Sequence, residues 1–127
     1  MQKQINAVKK FHNIYKLGYS EILKNDLGET KNLLRYNLMK EENEEYLEAV
    51  KNKDIIEIAD ALGDMLYILC GTIIEHGLQD KIEQVFDEIH RSNLSKLGES
   101  GQPLYREDGK VMKGSNYFKP NFSKILF

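Results

Sequence analysis

At 127 residues, 41% of them hydrophobic, the chain is sized for a single domain whose core a second copy would help to complete. Its 18 basic and 20 acidic side chains leave a formal charge of −2, which excludes a protein held on nucleic acid by overall electrostatics. The one cysteine, Cys70, excludes an intrachain disulfide and fits a reducing compartment.

The first residues lack an apolar signal-peptide core. The longest apolar-rich stretch, residues 55–74, is broken by Glu57, Asp60 and Asp64, so it reads as a buried helix rather than a membrane span. A cytoplasmic protein with no membrane partner is expected.

Hydrophobic period predicts four helices. The first runs from about Gln4 to Leu17, with Ile5, Val8, Phe11 and Ile14/Tyr15 recurring at helical spacing and Gly18 as its stop. The second, from about Glu29 to Lys51, carries Leu34, Leu38, Tyr46 and Val50. The third, from about Asp54 to His76, has Asp54 as N-cap, Glu57 at capping-box spacing and Gly77 beyond its end. The fourth, from about Asp80 to Leu94, lines up Ile82, Val85, Phe86 and Ile89. Both prolines, Pro103 and Pro120, fall in the glycine-punctuated remainder, where Asp108-Gly109 between short apolar pairs signals a hairpin. The domain expectation is a single all-α unit over 1–127: a helical body, 1–97, and a tail, 98–127, that packs on the body or on a partner.

The third helix carries the chemistry. At about 100° per residue, Glu57 and Asp60 stand about 60° apart and Asp60 and Asp64 about 40°, so the three acids share one stripe. The rest of the circumference is Ile, Ala, Leu, Met and Cys, which predicts burial on most sides. Ionised acids in such a setting need a positive partner. On the second helix, Glu41 and Glu45 lie one turn apart, and Glu42 and Glu45 are neighbours at i, i+3. Like charges at these spacings repel, and a divalent cation between the two helices reverses the sign. Oxygen ligands without Cys or His select Mg²⁺, with Mn²⁺ as a substitute, over Zn²⁺. A glutamate-rich face is ordinarily solvated; the acids of the third helix tip the reading to a metal site.

Glu42-x-x-Glu45, an 11-residue gap and then Glu57-x-x-Asp60 resemble the signature of the MazG-like all-α NTP pyrophosphatase superfamily. The run His90 to Lys96 and the tail Asp108 to Gly114 extend the resemblance to the phosphoribosyl-ATP pyrophosphohydrolase-like branch, over about residues 4–122. The resemblance implies an all-α bundle of four to five helices completed by oligomerisation as a homodimer or dimer of dimers. It implies Mg²⁺ on Glu42, Glu45, Glu57 and Asp60. Glu41 is then a further ligand or the base that orients water, and Asp64 stands behind the ligands. Attack of water on the α-phosphorus of a nucleoside triphosphate gives a nucleoside monophosphate and pyrophosphate. Carboxylates cannot hold the polyphosphate, so Arg91, Lys96, Lys110 and Lys113, with Asn93 as a polar contact, are the substrate-binding candidates.

Three functions follow as expectations: (d)NTP pyrophosphohydrolysis in nucleotide-pool control, with a pyrimidine such as dUTP or dCTP as first guess; phosphoribosyl-ATP hydrolysis in histidine synthesis; and, in another class, a non-catalytic helical dimer that binds a partner through its acidic face. His12 is read as packed or surface, with a base pocket as the minor option. Asp87-x-x-His90 lacks the second acid-x-x-His pair that a di-iron bundle needs.

Overall fold

The computed structural model describes residues 1–98 and 100–127, with Glu99 of the tail lying outside them. Among the described residues five helices follow in order: α1 (Gln2–Ile14), α2 (Glu29–Lys51), α3 (Ile55–Glu75), α4 (Ile82–Leu94) and α5 (Ser123–Leu126). Among the described residues there is no strand, only an isolated antiparallel bridge between Tyr105 and Val111. The fold is therefore all-α. The chain divides into two units, Met1–Asp80 with α1–α3 and Lys81–Phe127 with α4 and α5.

In the first unit α3 packs against both α1 and α2. α1 turns Ile5, Val8 and His12 inward, each at most 2% exposed, the i, i+3, i+7 face of a helix. The expected face is thus rotated. Phe11, Ile14 and Tyr15 lie outside, although the Phe11 ring meets Tyr67 edge-on. The helix also ends earlier than expected. Lys16 already has φ 57° before Gly18 reaches φ 80°. The loop that follows docks on the far end of α3: Ser20 N–H donates to the Ile74 carbonyl, Lys24 N–H to the His76 carbonyl, and Gln79 Nε2 to the Ser20 carbonyl. Gly77 stands there at φ 73°, where a Cβ would run into the Ile22 carbonyl.

α2 and α3 form an antiparallel hairpin through the turn at Asn52–Asp54. Asp54 caps α3 as expected, accepting from Ile56 N–H at 3.1 Å and Glu57 N–H at 3.2 Å. The reciprocal half of the capping box is replaced. Asp54 N–H donates instead to the Ala49 carbonyl at 3.0 Å, so the Glu57 carboxylate is not needed at the helix start.

The burial of α3 departs from the expectation. Its C-terminal half is enclosed, with Cys70, Gly71, Ile73, Ile74 and Glu75 buried. Its N-terminal half is open: Ile55 is 73% exposed, Ile56 75% and Leu62 49%, and Glu57, Asp60 and Asp64 are exposed as well. The apolar circumference read from the sequence is real, but α1 and α2 cover only part of it within one chain.

In the second unit the tail returns along α4. Ser92 Oγ donates to the Phe118 carbonyl at 2.8 Å and Phe118 N–H to Ser95 Oγ at 3.1 Å. Arg91 makes a two-pronged bond to Glu88 and lies over the Phe118 ring, while Glu88 accepts Asn121 N–H at 2.8 Å. The expected hairpin at Asp108-Gly109 is present, its bridge flanked by Arg106 N–H to the Lys110 carbonyl and Met112 N–H to the Leu104 carbonyl.

The Arg91 guanidinium, and then the Asn121 amide, hold the Glu88 carboxyl down at about 2. Its ionised form thus favours the folded tail at any pH above the ordinary 4.5, and the contribution is lost as pH falls through about 2. Glu88→Gln is expected to speed hydrogen exchange at the Asn121 amide by roughly an order of magnitude at neutral pH. Unchanged protection there would show that the tail is held by its other contacts.

Candidate active site

The hairpin geometry brings the two acidic segments face to face. Seven residues separate Glu42 from Ala49 along α2, about two helical turns, so Glu42, Glu45 and Ala49 share the side that meets α3. A cleft of about 460 Å³ opens there, lined by Glu45 and Glu48 from α2 and by Glu57 and Asp60 from α3. Ala49 and, from the turn, Asn52 and Asp54 complete the lining. Glu45 and Asp60 therefore face a common space, as a two-helix site requires. No Lys, Arg or His lines this cleft among the described residues.

One turn further along, Glu42 is half-buried, and its Oε2 is enclosed without a hydrogen-bond partner. Its carboxyl is pushed up to about 7. Burial is the largest cause, followed by Glu45, through hydrogen bonding and charge, and then by the charges of Asp64 and Asp60. The acid that suffers the apolar environment thus sits on α2, whereas the sequence placed it on α3. The Asp64 charge reaches Glu42, and Glu41 is exposed on α2.

Sequence reasoning missed Glu48. Its signal was available, because it lies three residues beyond Glu45 on the same side of the helix. Among the described residues, no three His, Cys, Asp or Glu side chains are gathered around one point; the acids share a cleft without converging on a single position.

The five substrate-binding candidates all belong to the unit Lys81–Phe127. Arg91 is engaged by Glu88 and Phe118, and Asn93 is exposed near the end of α4. The Lys96 carbonyl accepts Gly114 N–H at 2.9 Å, which ties the α4 end to the tail. Lys110 is exposed in the hairpin, and the Lys113 ammonium lies 4.9 Å from the Tyr117 ring centroid. His12 is packed, 2% exposed, with Nδ1 at 2.8 Å from the Gly18 carbonyl. His76 caps the end of α3, and its Nδ1 lies 2.6 Å from the Lys24 carbonyl.

A hard divalent cation fits this donor set. The donors are carboxylate oxygens, and one of them, Glu42 Oε2, is enclosed without a hydrogen-bond partner on a carboxyl that burial, and then its acidic neighbours, push up to about 7. Such a cluster is electrostatically unfavourable by itself and favourable around a cation.

Residues 9–93 match the family model described as phosphoribosyl-ATP pyrophosphohydrolase, a span that takes in the C-terminal end of α1, all of α2 and α3 and most of α4. A comparison with curated proteins finds no match. The family is one of generally metal-dependent pyrophosphohydrolases, which sets aside the non-catalytic reading. The chain belongs to the phosphoribosyl-ATP pyrophosphohydrolase family of the MazG-like all-α NTP pyrophosphatase superfamily, and is a hydrolase of a nucleotide phosphoanhydride bond.

Proposed function

We propose that this protein is a Mg²⁺-dependent nucleoside triphosphate pyrophosphohydrolase that cleaves (d)NTP to (d)NMP and pyrophosphate in a cytoplasmic nucleotide pool. The observation that carries this reading is the shared cleft of Glu45, Glu48, Glu57 and Asp60, with Glu42 enclosed beside it. Glu42, Glu45, Glu57 and Asp60 would hold Mg²⁺, with Asp64 behind them on the same stripe of α3. Bound there, the ion would supply Lewis-acid chemistry, activating a water and offsetting charge on the leaving pyrophosphate. The chain's own groups orient that water. Its oxygen forms the new bond to the α-phosphorus, the bond from the α-phosphorus to the bridging oxygen breaks, and pyrophosphate leaves with that oxygen. Glu41 either takes the water's proton or adds a ligand. Arg91, Lys96, Lys110, Lys113 and Asn93 contact the polyphosphate.

Oligomerisation belongs to the same reading. Ile55, Ile56, Leu62 and Leu66 are each more than 40% exposed on the helix that carries half the acids, and a second copy of the chain covers them in a homodimer or a dimer of dimers.

Phosphoribosyl-ATP hydrolysis in histidine synthesis is the second reading, favoured by the description of the matching family. A pyrophosphate-release panel separates the two. It contains the common ribo- and deoxyribonucleoside triphosphates, dUTP and phosphoribosyl-ATP, each with and without Mg²⁺. The expected result is Mg²⁺-dependent turnover of a triphosphate, with dUTP or dCTP as first guess. Turnover of phosphoribosyl-ATP alone would transfer the assignment to the second reading, and a panel without any turnover would end both.

A further inference from the structure

Away from the acids, α2 and α3 are joined by a buried polar contact. Arg35 is only 8% exposed and, with Ala49, is one of the two buried residues of α2. Its Nη2 donates to the Ile68 carbonyl at 2.7 Å and its Nε to Thr72 Oγ1 at 3.0 Å. Glu75 Oε2 lies 3.7 Å from that Nε, and Glu75 Oε1 lies 3.3 Å from Lys31 Nζ. The guanidinium runs over Gly71, where a Cβ would come within 2.6 Å of Nη2 and 2.9 Å of His12 Nε2. The backbone of α3 is thus bare of a side chain where the arginine crosses it.

Arg35 and Glu42 are seven residues apart on one side of α2, about two turns or roughly 10 Å. On α3, Ile68 and Thr72 lie one and two turns beyond Asp64, which follows the cleft-lining Asp60 on the same stripe and whose charge reaches Glu42. The arginine contact and the acids therefore occupy the same inter-helix seam. At the other end of that seam the Asp54 cap and the turn fix the hairpin. No large apolar side chain of α2 is fully buried: its buried residues are Arg35 and Ala49, and Leu38, Met39 and Tyr46 are half-buried, which leaves the register short of a deep apolar anchor. A directional buried polar contact can set it.

We infer that Arg35 is a positioning residue, which locks α2 against α3 in the register that makes Glu42 and Glu45 face Asp60 and Asp64. This rests on the metal-dependent reading given above and adds a determinant outside the ligand set. A slide of one helix by one residue moves its side chains about 1.5 Å along the axis and about 100° around it, enough to take a carboxylate out of a shared coordination sphere. Gly71 and Thr72 give the guanidinium its seat, and Glu75 supplies the compensating charge.

The test compares the wild type with Arg35→Lys and with the pair Arg35→Met/Glu75→Gln, which leaves no carboxylate uncompensated. Each is studied well below its own melting temperature, with helicity checked by circular dichroism. Mn²⁺ affinity is measured by electron paramagnetic resonance without substrate, and half-saturating Mg²⁺ and kcat are measured with substrate. The double variant is expected to stay helical and to bind Mn²⁺ ~10-fold to ~100-fold more weakly, the range typical of groups that orient metal ligands. Arg35→Lys, which keeps the charge but loses the fork, should fall between the two. A residue that only stabilises the fold would lower the melting temperature and leave the Mn²⁺ affinity of folded molecules untouched. Folded variants that bind Mn²⁺ within about twofold of the wild type, below any shift expected from a lost orienting group, overturn the inference. Should the double variant fail to fold, Arg35→Lys decides by the same criterion. A wild type that neither binds Mn²⁺ nor hydrolyses any substrate refutes the metal-dependent reading itself, a distinct outcome.

Discussion

Glu45→Gln is expected to lower Mg²⁺-dependent pyrophosphate release by more than ~100-fold, beyond the 10-fold to 100-fold loss typical of groups that merely orient metal ligands. Glu45 lines the cleft from α2 and, among its neighbours, acts most strongly on the Glu42 carboxyl, so it links the cleft to the enclosed Glu42 oxygen. It is exposed, so the amide replaces the carboxylate with no change in packing and no loss of helix propensity to speak of. What disappears is the charge and one hard ligand. Helicity and assembly should therefore persist while kcat collapses, and the half-saturating Mg²⁺ concentration should rise. Undiminished turnover in a folded Glu45→Gln protein would remove Glu45 from the ligand set and leave the two-helix site without its central acid.

Much of this site was legible in the sequence because its determinants are local. The acid spacings on α2 and α3 are helical spacings, and Asp54 announces the start of α3 through its side chain alone. What the sequence could not give was the environment around each acid. Periodicity fixes an angle about a helix's own axis and says nothing of what faces that angle. Glu57, Asp60 and Asp64 sit on an apolar helix and are nevertheless exposed, whereas Glu42, from a run of glutamates that reads as solvated, has the enclosed oxygen.

The same limit hid Arg35. A lone arginine between Leu34 and Tyr36 reads as the solvent side of an amphipathic helix, and its burial follows only from acceptors that lie 33 and 37 residues away, on Ile68 and Thr72. His12 is the counterpart on α1: the apolar period passes through Phe11, but the carbonyl of Gly18, beyond the helix end, draws the histidine inward. The open half of α3 shows a third case. Hydropathy registers that Ile55 and Ile56 need cover and is silent on which chain provides it.

Glu42→Gln should move stability and catalysis in opposite directions. The folded protein raises the Glu42 carboxyl from 4.5 to about 7, so the fold binds that proton more tightly than the unfolded chain does. The resulting stabilisation is fully present below the ordinary value, shrinks as pH climbs, and is gone once pH passes about 7. Metal-free wild type is therefore expected to melt at a lower temperature at pH 8 than at pH 6, as Glu42 becomes a carboxylate beside Glu45, Asp60 and Asp64. Glutamine keeps the shape and removes the titration. The variant's melting temperature should change less between pH 6 and pH 8 and exceed that of the wild type at pH 8. Mg²⁺ should raise the melting temperature of the wild type most at the higher pH, where the carboxylate is free to bind it, and should raise that of Glu42→Gln far less. Turnover in the variant should fall by more than ~100-fold, again beyond the loss typical of groups outside the ligand set. Thermal melts at the two pH values, with and without Mg²⁺, check the argument. A wild type whose metal-free melting temperature is level across this window, or a variant that gains as much from Mg²⁺ as the wild type does, would show that the enclosed carboxylate is not where the charge strain resides.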